Sequence, residues 1–492
     1  MKCLKDILDY TFISSIEGPT NLNIRKIAYN SGNVEAESIF FAIKGTKING
    51  EQFIPDAIKN GAHVIVVEES SGYRNDNVTV IYATNIRKLM AKMAKLFYNR
   101  VDSQLKLVGI TGTNGKTTIS FILYHLFQYN HLEPALIGTV EYRIGDEILP
   151  ATHTTPESVD IYELMVQAFS RGCKSMIMEV SSHALAMERV YGLEFDAGIF
   201  TNLTREHLDY HNTMDNYFEA KAKLFQKKPE YFRAIINLDD PYGRKLADSL
   251  EGELFTYGFH PDAAVRPLRV DYKLEGTFVE MSTPLGKMHV MSSYIGKFNV
   301  SNILAAVATG VAMGFTYDNI TKAIQNLPQV PGRCEKFLLP QKAVAVVDYA
   351  HSPDALKNIC EALRELTGNK LIIVFGAGGD RDKGKRSEMG KVAEDYCDYM
   401  ILTNDNPRTE NPQIIIEHIL EGISGKENYT VEYDRAKAIE IALEMAEKND
   451  VVLIAGKGHE QYQEINGIRH FFDDREIVKK WIEKKINQGV NR

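Results

Sequence analysis

Short apolar runs rich in Val, Ile and Phe alternate along almost the whole chain with longer stretches whose apolar positions recur every three or four residues. In the first hundred residues the runs are "SIFFAIKG", "HVIVVEE" and "VTVIYAT", followed by "IRKLMAKMAKLFYNR" with helical spacing. Next come "LKLVGITGTNGKTT", "SMIMEVSSHAL", "DAGIFTNLT" and "RAIINLDDP", each an apolar strand that ends in a polar loop. A last set, "AVAVVDYAHSPDAL", "LIIVFGAGGDRDKGKR", "DYMILTNDNPR" and "VVLIAGKGHEQ", ends in Gly, Asp or Arg. Strands alternating with amphipathic helices predict α/β domains with mostly parallel sheets. Ligands of such sheets bind outside the carboxyl ends of the strands, so the last four endings define one crevice.

The length of 492 residues exceeds the ~250–300 at which one core stops growing, so the chain divides into domains. The polar joint "NRVDSQ" and the Pro- and Gly-containing "NLPQVPGRCEKF" set the expected limits at residues 1–102, 103–332 and 333–492. A hydrophobic content of 44% and a charged content of 25% are those of an ordinary globular protein. The longest apolar run, "NILAAVATGVAMGF", falls short of the roughly 20 residues that span a bilayer, so no membrane partner is expected. "MKCLKDILDY" carries acidic residues where an export signal needs an apolar core, which predicts a cytosolic protein. The five cysteines, Cys3, Cys173, Cys334, Cys360 and Cys397, are scattered without Cys-x-x-Cys spacing and predict neither disulfides nor a zinc ribbon. A net charge of -8 argues against a nucleic-acid partner, so any anionic ligand must be held by local arrangements.

One such arrangement is "LVGITGTNGKTT": strand, glycine turn, then a lysine opening a helix, where backbone N–H groups and the helix dipole attract phosphate. Ile110 replaces the first glycine of the strict Walker spacing, leaving Gly112-x-x-Gly115-Lys116-Thr117. In this reading Gly112, Thr113, Asn114, Gly115 and Thr118 cradle ATP, Lys116 reaches its terminal phosphates and the Thr117 hydroxyl ligates Mg²⁺. "GAGGDR" fails as a dinucleotide fingerprint, because Arg381 falls where the third glycine is needed. "HLDYH" spaces His207 and His211 four apart, as in zinc helices, but lacks the Glu after the first His.

"TGTNGKTT" resembles the ATP-binding loop of the Mur ligases, which build the peptide of bacterial cell walls. "HTTPES", "MEVSSHAL", "TNLTREHLDYH", "AKAKLF", "GKFNVSNILAA", "VPGRCE", "DYAHSPDAL", "GAGGDRDKGKR", "DNPR" and "GKGHEQYQ" continue the resemblance in order, most like the members that add the third residue. The resemblance implies three α/β domains: a small N-terminal one for a nucleotide sugar, a central P-loop-type ATPase and a Rossmann-like C-terminal one. It also implies an ATP-dependent amide ligase acting through an acyl phosphate, with UDP-MurNAc-L-Ala-D-Glu, meso-diaminopimelate and ATP as small-molecule partners, working as a monomer.

Residue by residue, the resemblance makes Lys116, Lys221 and His207 catalytic, and Glu179, His207, Thr117 and Lys221 the Mg²⁺ ligands. Lys221, rather than Lys223, matches a lysine carried as a CO₂-derived carbamate; that reaction needs a neutral amine, which burial favours. Asn299 and Asn302, set before a helix, fall on the adenine side, and Arg333 and Asp348 meet ATP when the C-terminal domain closes. Ser31, Thr154, Thr155, Ser181 and Arg189 match contacts to the sugar-peptide. Here the chain reads Asn30-Ser31-Gly32 where Asp-Ser-Arg is common, Glu37-Ser38 where a Pro-Gly turn is common, and Met187 where many members have Gln.

Arg381, Asp405, Asn406, Pro407, Arg408, Gly456 and Glu460 match contacts to diaminopimelate. A rigid Arg fork suits a carboxylate, and Pro407 narrows the loop that carries it. Lysine-adding relatives commonly lose this Arg, because their substrate ends in an ammonium. The same ligase using L-lysine, a folylpolyglutamate synthetase, and a regulatory protein of this fold without turnover are the other readings weighed.

Overall fold

The computed structural model describes residues 1–45, 48–226, 229–425 and 428–490. The chain forms two compact units, 1–256 and 257–492, each α/β and each described by itself.

The first unit holds two large sheets, besides the short pair Lys2–Cys3 and Asn23–Ile24. In the N-terminal one the strands lie in the order Ile13–Glu17, Thr79–Ala83, Ala62–Glu68, Ser38–Phe41, Lys26–Ala28, parallel except at the first pair. The helix Ile86–Phe97 follows, capped by Asn85, whose side chain accepts the Lys88 N–H. Its buried positions, Ile86, Leu89, Met90, Met93 and Ala94, are those at helical spacing in the sequence.

The second sheet has eight strands, and its middle carries the chemistry. Lys106–Thr111 lies between Ser175–Glu179 and Ala197–Phe200, parallel to both. All three strands are buried on both faces from their second residue on, which is why they read as continuous apolar runs rather than alternating ones. Their carboxyl ends fall together by register, Ile110 opposite Glu179 and Thr111 opposite Phe200.

In the second unit an antiparallel three-stranded sheet, Arg266–Tyr272, Thr277–Thr283 and Gly286–Ser292, precedes the helices Lys297–Ala312 and Tyr317–Gln325. A six-stranded sheet follows in the order Glu335–Leu338, Val344–Asp348, Val451–Ala455, Leu371–Phe375, Tyr399–Leu402, Tyr429–Val431, parallel but for its first strand. Alternate residues feed two cores: Leu371, Ile373 and Phe375 face one cluster, Ile372 and Val374 the other. With helices on both faces, the strand ends after Asp348, Phe375, Leu402 and Ala455 form one row along the sheet, where a ligand of such a sheet binds.

Candidate active site

The phosphate loop is shaped by its neighbour strand. A Cβ on Gly112 (φ +142°) would lie 1.8 Å from Thr201 Oγ1, so no other residue fits. Thr201 Oγ1 uses the space to donate to Asn114 O at 2.6 Å. Asn202 completes the clamp, its carbonyl accepting the Thr113 N–H and its Oδ1 the Asn114 N–H at 2.9 Å. Gly115, left-handed, turns the chain into the helix Lys116–Tyr129. Lys116 Nζ folds back to Gly112 O at 2.9 Å and Thr113 O at 2.8 Å, over the loop. Thr118 is buried one residue beyond Thr117.

Glu179 is fully buried and surrounded by hydroxyls. Its Oε2 accepts from Thr117 Oγ1 at 3.0 Å and Thr139 Oγ1 at 2.9 Å, and its Oε1 from the Thr139 N–H at 3.0 Å. A hydroxyl has one proton, so the 3.0 Å contact between Thr139 and Thr154 has Thr154 as donor. Thr155 Oγ1 donates to Glu179 O at 2.8 Å and accepts the Ser181 N–H at 3.1 Å, while Ser181 Oγ caps the next helix at Ala184. Arg189 is held by Glu157 Oε1 (2.9 Å) and Thr155 O (2.9 Å), and Glu157 also takes Arg87 at 3.0 Å. Thr154, Thr155, Ser181 and Arg189 are thus one connected group beside the phosphate loop. Ser31 stands in a short turn, Ser31–Asn33, near Tyr29, whose hydroxyl reaches Asp160 in the first turn of the helix Ser158–Ser170 at 2.6 Å.

Lys221, on the helix Met214–Ala222, is 1% exposed and bonds Gly112 O at 2.7 Å, with its Nζ 4.6 Å above the Tyr217 ring. Burial first, and then the nearby Lys116 ammonium, hold its pKa well below the ordinary lysine value. His207 sits just before the helix Leu208–His211 at φ +55°, its ring 5.0 Å from His183 and 6.1 Å from Tyr217. His211 ends that helix with Nε2 2.9 Å from Ser182 Oγ, while His207 is the residue that caps its start. Among the described residues no group of three or more His, Cys, Asp or Glu is placed to hold a metal ion. The oxygens beside the phosphate loop that could hold a cation are those of Glu179 and Thr117, 3.0 Å apart.

The remaining candidates stand in the second unit. Asn299 and Asn302 do not precede a helix but lie inside its first turns, both buried. Gly296 caps that helix, Asn299 Nδ2 donates to Ile295 O at 3.0 Å, and Asn302 Nδ2 to Asn299 Oδ1 at 3.1 Å. A polar pair spaced three apart on an otherwise apolar helix was the signal for an interior position. Asp348 takes the N–H groups of Cys334 (2.7 Å) and Ala350 (2.8 Å), and burial raises its pKa against the pull of Arg333. Arg333 lies 4.6 Å above the Tyr349 ring.

The strand ends bring the third-substrate candidates together. A Cβ on Gly378 would lie 3.0 Å from Arg408 Nη1 and 3.7 Å from Arg381 Cγ, so this glycine leaves space for the Arg408 guanidinium beside the stem of Arg381. Arg408 is fixed three ways: a left-handed backbone (φ +52°), its N–H on Glu464 O, and Nη1 on Gly379 O at 2.6 Å. Its Nε also lies 3.5 Å from Glu464 Oε2. Gly379 packs under Pro407, where a Cβ would fall 1.9 Å from Pro407 O. Gly456 (φ +114°) leaves only 2.8 Å between a Cβ and Asp405 Oδ2, and Asn406 Nδ2 reaches Glu460 Oε2 at 2.9 Å.

Sequence reasoning passed over Thr139, Asn202, Glu157, Arg386 and Lys457. Arg386, fully buried, forks onto Glu410 at 2.9 and 3.0 Å and onto Gly378 O at 3.1 Å. That fork pulls the Glu410 pKa down to about 2, and Glu410 in turn holds the Asp380 N–H. "Arg on a helix one turn after GGDRDKG" was the available signal, but the pairing with a glutamate beyond the arginine loop is long-range.

Family models match along the chain: "Mur ligase family, catalytic domain" at residues 23–98, "Mur ligase middle domain" at 110–310, and "Mur ligase, glutamate ligase domain" at 332–458. The chain is 42% identical over 475 residues to a UDP-N-acetylmuramoyl-L-alanyl-D-glutamate--2,6-diaminopimelate ligase of Thermosynechococcus vestitus, covering 96% of each. It is 41% identical over 483 residues to the protein of the same name from Bacteroides fragilis, covering 97% of this chain and 98% of that one. A solved structure of a ligase of that name superposes with a TM-score of 0.70 at 32% identity, covering 96% and 97%. The MurF ligase of Thermotoga maritima in complex with ADP, at 21% identity and TM-score 0.64 over 94% and 98%, shares the fold. Among the described residues no helix is long and apolar enough to cross a membrane.

Proposed function

The chain belongs to the Mur ligase family, and from that premise we propose that it joins the D-Glu carboxylate of UDP-MurNAc-L-Ala-D-Glu to an amine of meso-diaminopimelate, with ATP converted to ADP and phosphate. The observation that carries the third substrate is the fixed guanidinium of Arg408 at Gly378 and Gly379, with the stem of Arg381 at the same glycine and Asn406 and Glu460 on the adjacent strand end. A fixed guanidinium suits a distal carboxylate, and a carboxylate nearby suits a distal ammonium. L-lysine ends in an ammonium and offers nothing to that arginine.

In the reaction a carboxylate oxygen attacks the γ-phosphorus and ADP leaves, giving an acyl phosphate. The amine then attacks the carbonyl carbon, phosphate leaves, and the nitrogen loses a proton. Lys116 and the loop N–H groups offset charge on the phosphoryl oxygens throughout. The Thr117 and Glu179 oxygens, 3.0 Å apart, fit Mg²⁺, which prefers one or two protein oxygens and otherwise phosphates and water. When bound it supplies further charge neutralisation at the phosphates. Thr139, by fixing both Glu179 oxygens, keeps that carboxylate aimed at the loop.

Lys221 as it stands is a donor and cannot ligate a cation. Its buried amine, biased toward the neutral form, suits carbamate formation: the nitrogen lone pair attacks the CO₂ carbon and one N–H proton is lost. The resulting anion would place a negative charge beside the Lys116 ammonium, at the Gly112 carbonyl that both lysines reach. His207, its ring edge-on to Tyr217 at 6.1 Å, is the residue proposed to act on the phosphate side. Thr155, Ser181 and Arg189 are the contacts proposed for the dipeptide end, and Asn299, Asn302, Arg333 and Asp348 those for the nucleotide. A monomer in the cytosol, where ATP and nucleotide sugars are found, is the working form this reading implies.

The test is phosphate release from ATP with the UDP-MurNAc-dipeptide and meso-diaminopimelate, L-lysine or no amino acid. Release with diaminopimelate alone is expected. Release with lysine alone would overturn the assignment of the third substrate, and no release with either would favour a protein without turnover.

A further inference from the structure

Lys457 has no role in the reaction described above, yet its side chain is completely buried just past the strand Val451–Ala455. Its Nζ lies 3.1 Å from Asn406 Oδ1 and 3.1 Å from Glu460 Oε2, and 5.4 Å from the Tyr462 ring centre. A buried ammonium is costly unless it is paired and hydrogen-bonded, and both of its partners here are groups proposed to bind the third substrate.

The donors around Asn406 decide which end of its amide is which. Lys457 carries donors only, and the Glu464 N–H also points at Asn406 Oδ1, at 2.9 Å. Two donors converging on one atom require that atom to be oxygen. Asn406 Nδ2 is thereby turned to Glu460 Oε2. That same Oε2 also receives Lys457, so both internal donors occupy one oxygen of the carboxylate. Oε1 is left facing the Tyr349 hydroxyl at 3.5 Å, with room to accept more.

We propose that Lys457 is a positioning residue that makes the enzyme selective for the distal amine of its third substrate. It acts by holding Asn406 in one orientation and committing Glu460 Oε2 inward, so that Oε1 meets the incoming ammonium. Without the ammonium of Lys457, Asn406 loses one of the two donors that orient it, and Glu460 gains a second oxygen that water or a wrong ligand can use. The inference rests on the reading that Asn406 and Glu460 bind a diamino acid.

The experiment compares meso-diaminopimelate with L-2-aminopimelate, which keeps both carboxylates but lacks the distal amine. Phosphate release by the full chain is measured with ATP and the UDP-MurNAc-dipeptide for wild type, Lys457→Met and Lys457→Gln. In Lys457→Met the preference for diaminopimelate over the analogue, as a ratio of kcat/KM, is expected to fall about tenfold or more. The KM for ATP should stay within about twofold, because a local reorientation removes binding at one substrate only. Lys457→Gln, which can supply a donor to one partner but not both, should fall between. An unchanged preference, or a parallel rise in the KM for ATP, overturns the proposal. If Lys457→Met does not fold, Lys457→Gln carries the same comparison; failure of both to fold would make Lys457 a folding residue and overturn it too. A wild type that releases no phosphate with diaminopimelate would instead overturn the underlying reading, and the inference with it.

Discussion

The two halves of the machinery handle positive charge in opposite ways. At the phosphate loop Lys116 and Lys221 converge on the carbonyl of Gly112, where burial and then the Lys116 ammonium disfavour the charged form of Lys221. At the strand ends of the second unit four cations are each met by a carboxylate: Arg386 by Glu410, Arg408 by Glu464, Arg435 by Asp474, Lys457 by Glu460. The first arrangement is completed by an anionic ligand, which supplies the charge the protein withholds. The second is largely balanced beforehand, so a ligand is judged by shape and by the direction of a few remaining donors and acceptors.

The comparison breaks most visibly where a balanced pair loses one member. Arg435 and Asp474 are both fully buried, bonded at 2.8 Å twice over. Arg435→Met should destabilise the second unit by about 3–5 kcal/mol, read as a lower urea midpoint, because Asp474 is left charged and unpaired. Lys116→Met should leave the fold intact and cut kcat by about a hundredfold or more, the scale of losing one group aimed at transition-state charge. A comparable loss of stability in Lys116→Met would contradict the contrast between the halves.

Arg408→Ala should raise the KM for diaminopimelate by about tenfold to a hundredfold while leaving that for ATP nearly unchanged. Equal effects on both would count against its role. The smallest effect concerns pH. Glu410 titrates at about 2 when folded, below the 4.5 of a free carboxylate, so the folded state binds fewer protons in between. Its contribution, about 1–2 kcal/mol for a rim carboxylate, is complete above pH 4.5 and lost as pH falls toward 2. Urea midpoints measured across this window should show the loss in wild type and lack it in Glu410→Gln.

Much of this was legible in the chain itself. "LVGITGTNGKTT" carried the strand, the turn and the cation, because a phosphate loop is a local object whose parts are neighbours in sequence. "DNPR" likewise displayed Arg408 and its restricting proline. Asn299 and Asn302 were placed one turn off, since buried asparagines inside a helix and asparagines capping one look alike without the tertiary contacts that bury them. Thr139 and Glu157 were invisible for another reason. Thr139 matters only because it lies within reach of Glu179, 40 residues on, and Glu157 because it is shared by Arg87 and Arg189.

The sequence by itself determined the alternation of strand and helix, the phosphate loop and the residue types of the third-substrate loop, because period and turn chemistry are written in adjacent positions. Tertiary structure alone decided which cation meets which anion. It set Lys221 in a dry site against Gly112, the stem of Arg381 beside Arg408 at one glycine, and Lys457 between Asn406 and Glu460. The reason is physical: burial and distance decide whether a charge is compensated, and both depend on residues brought together from far apart in the chain.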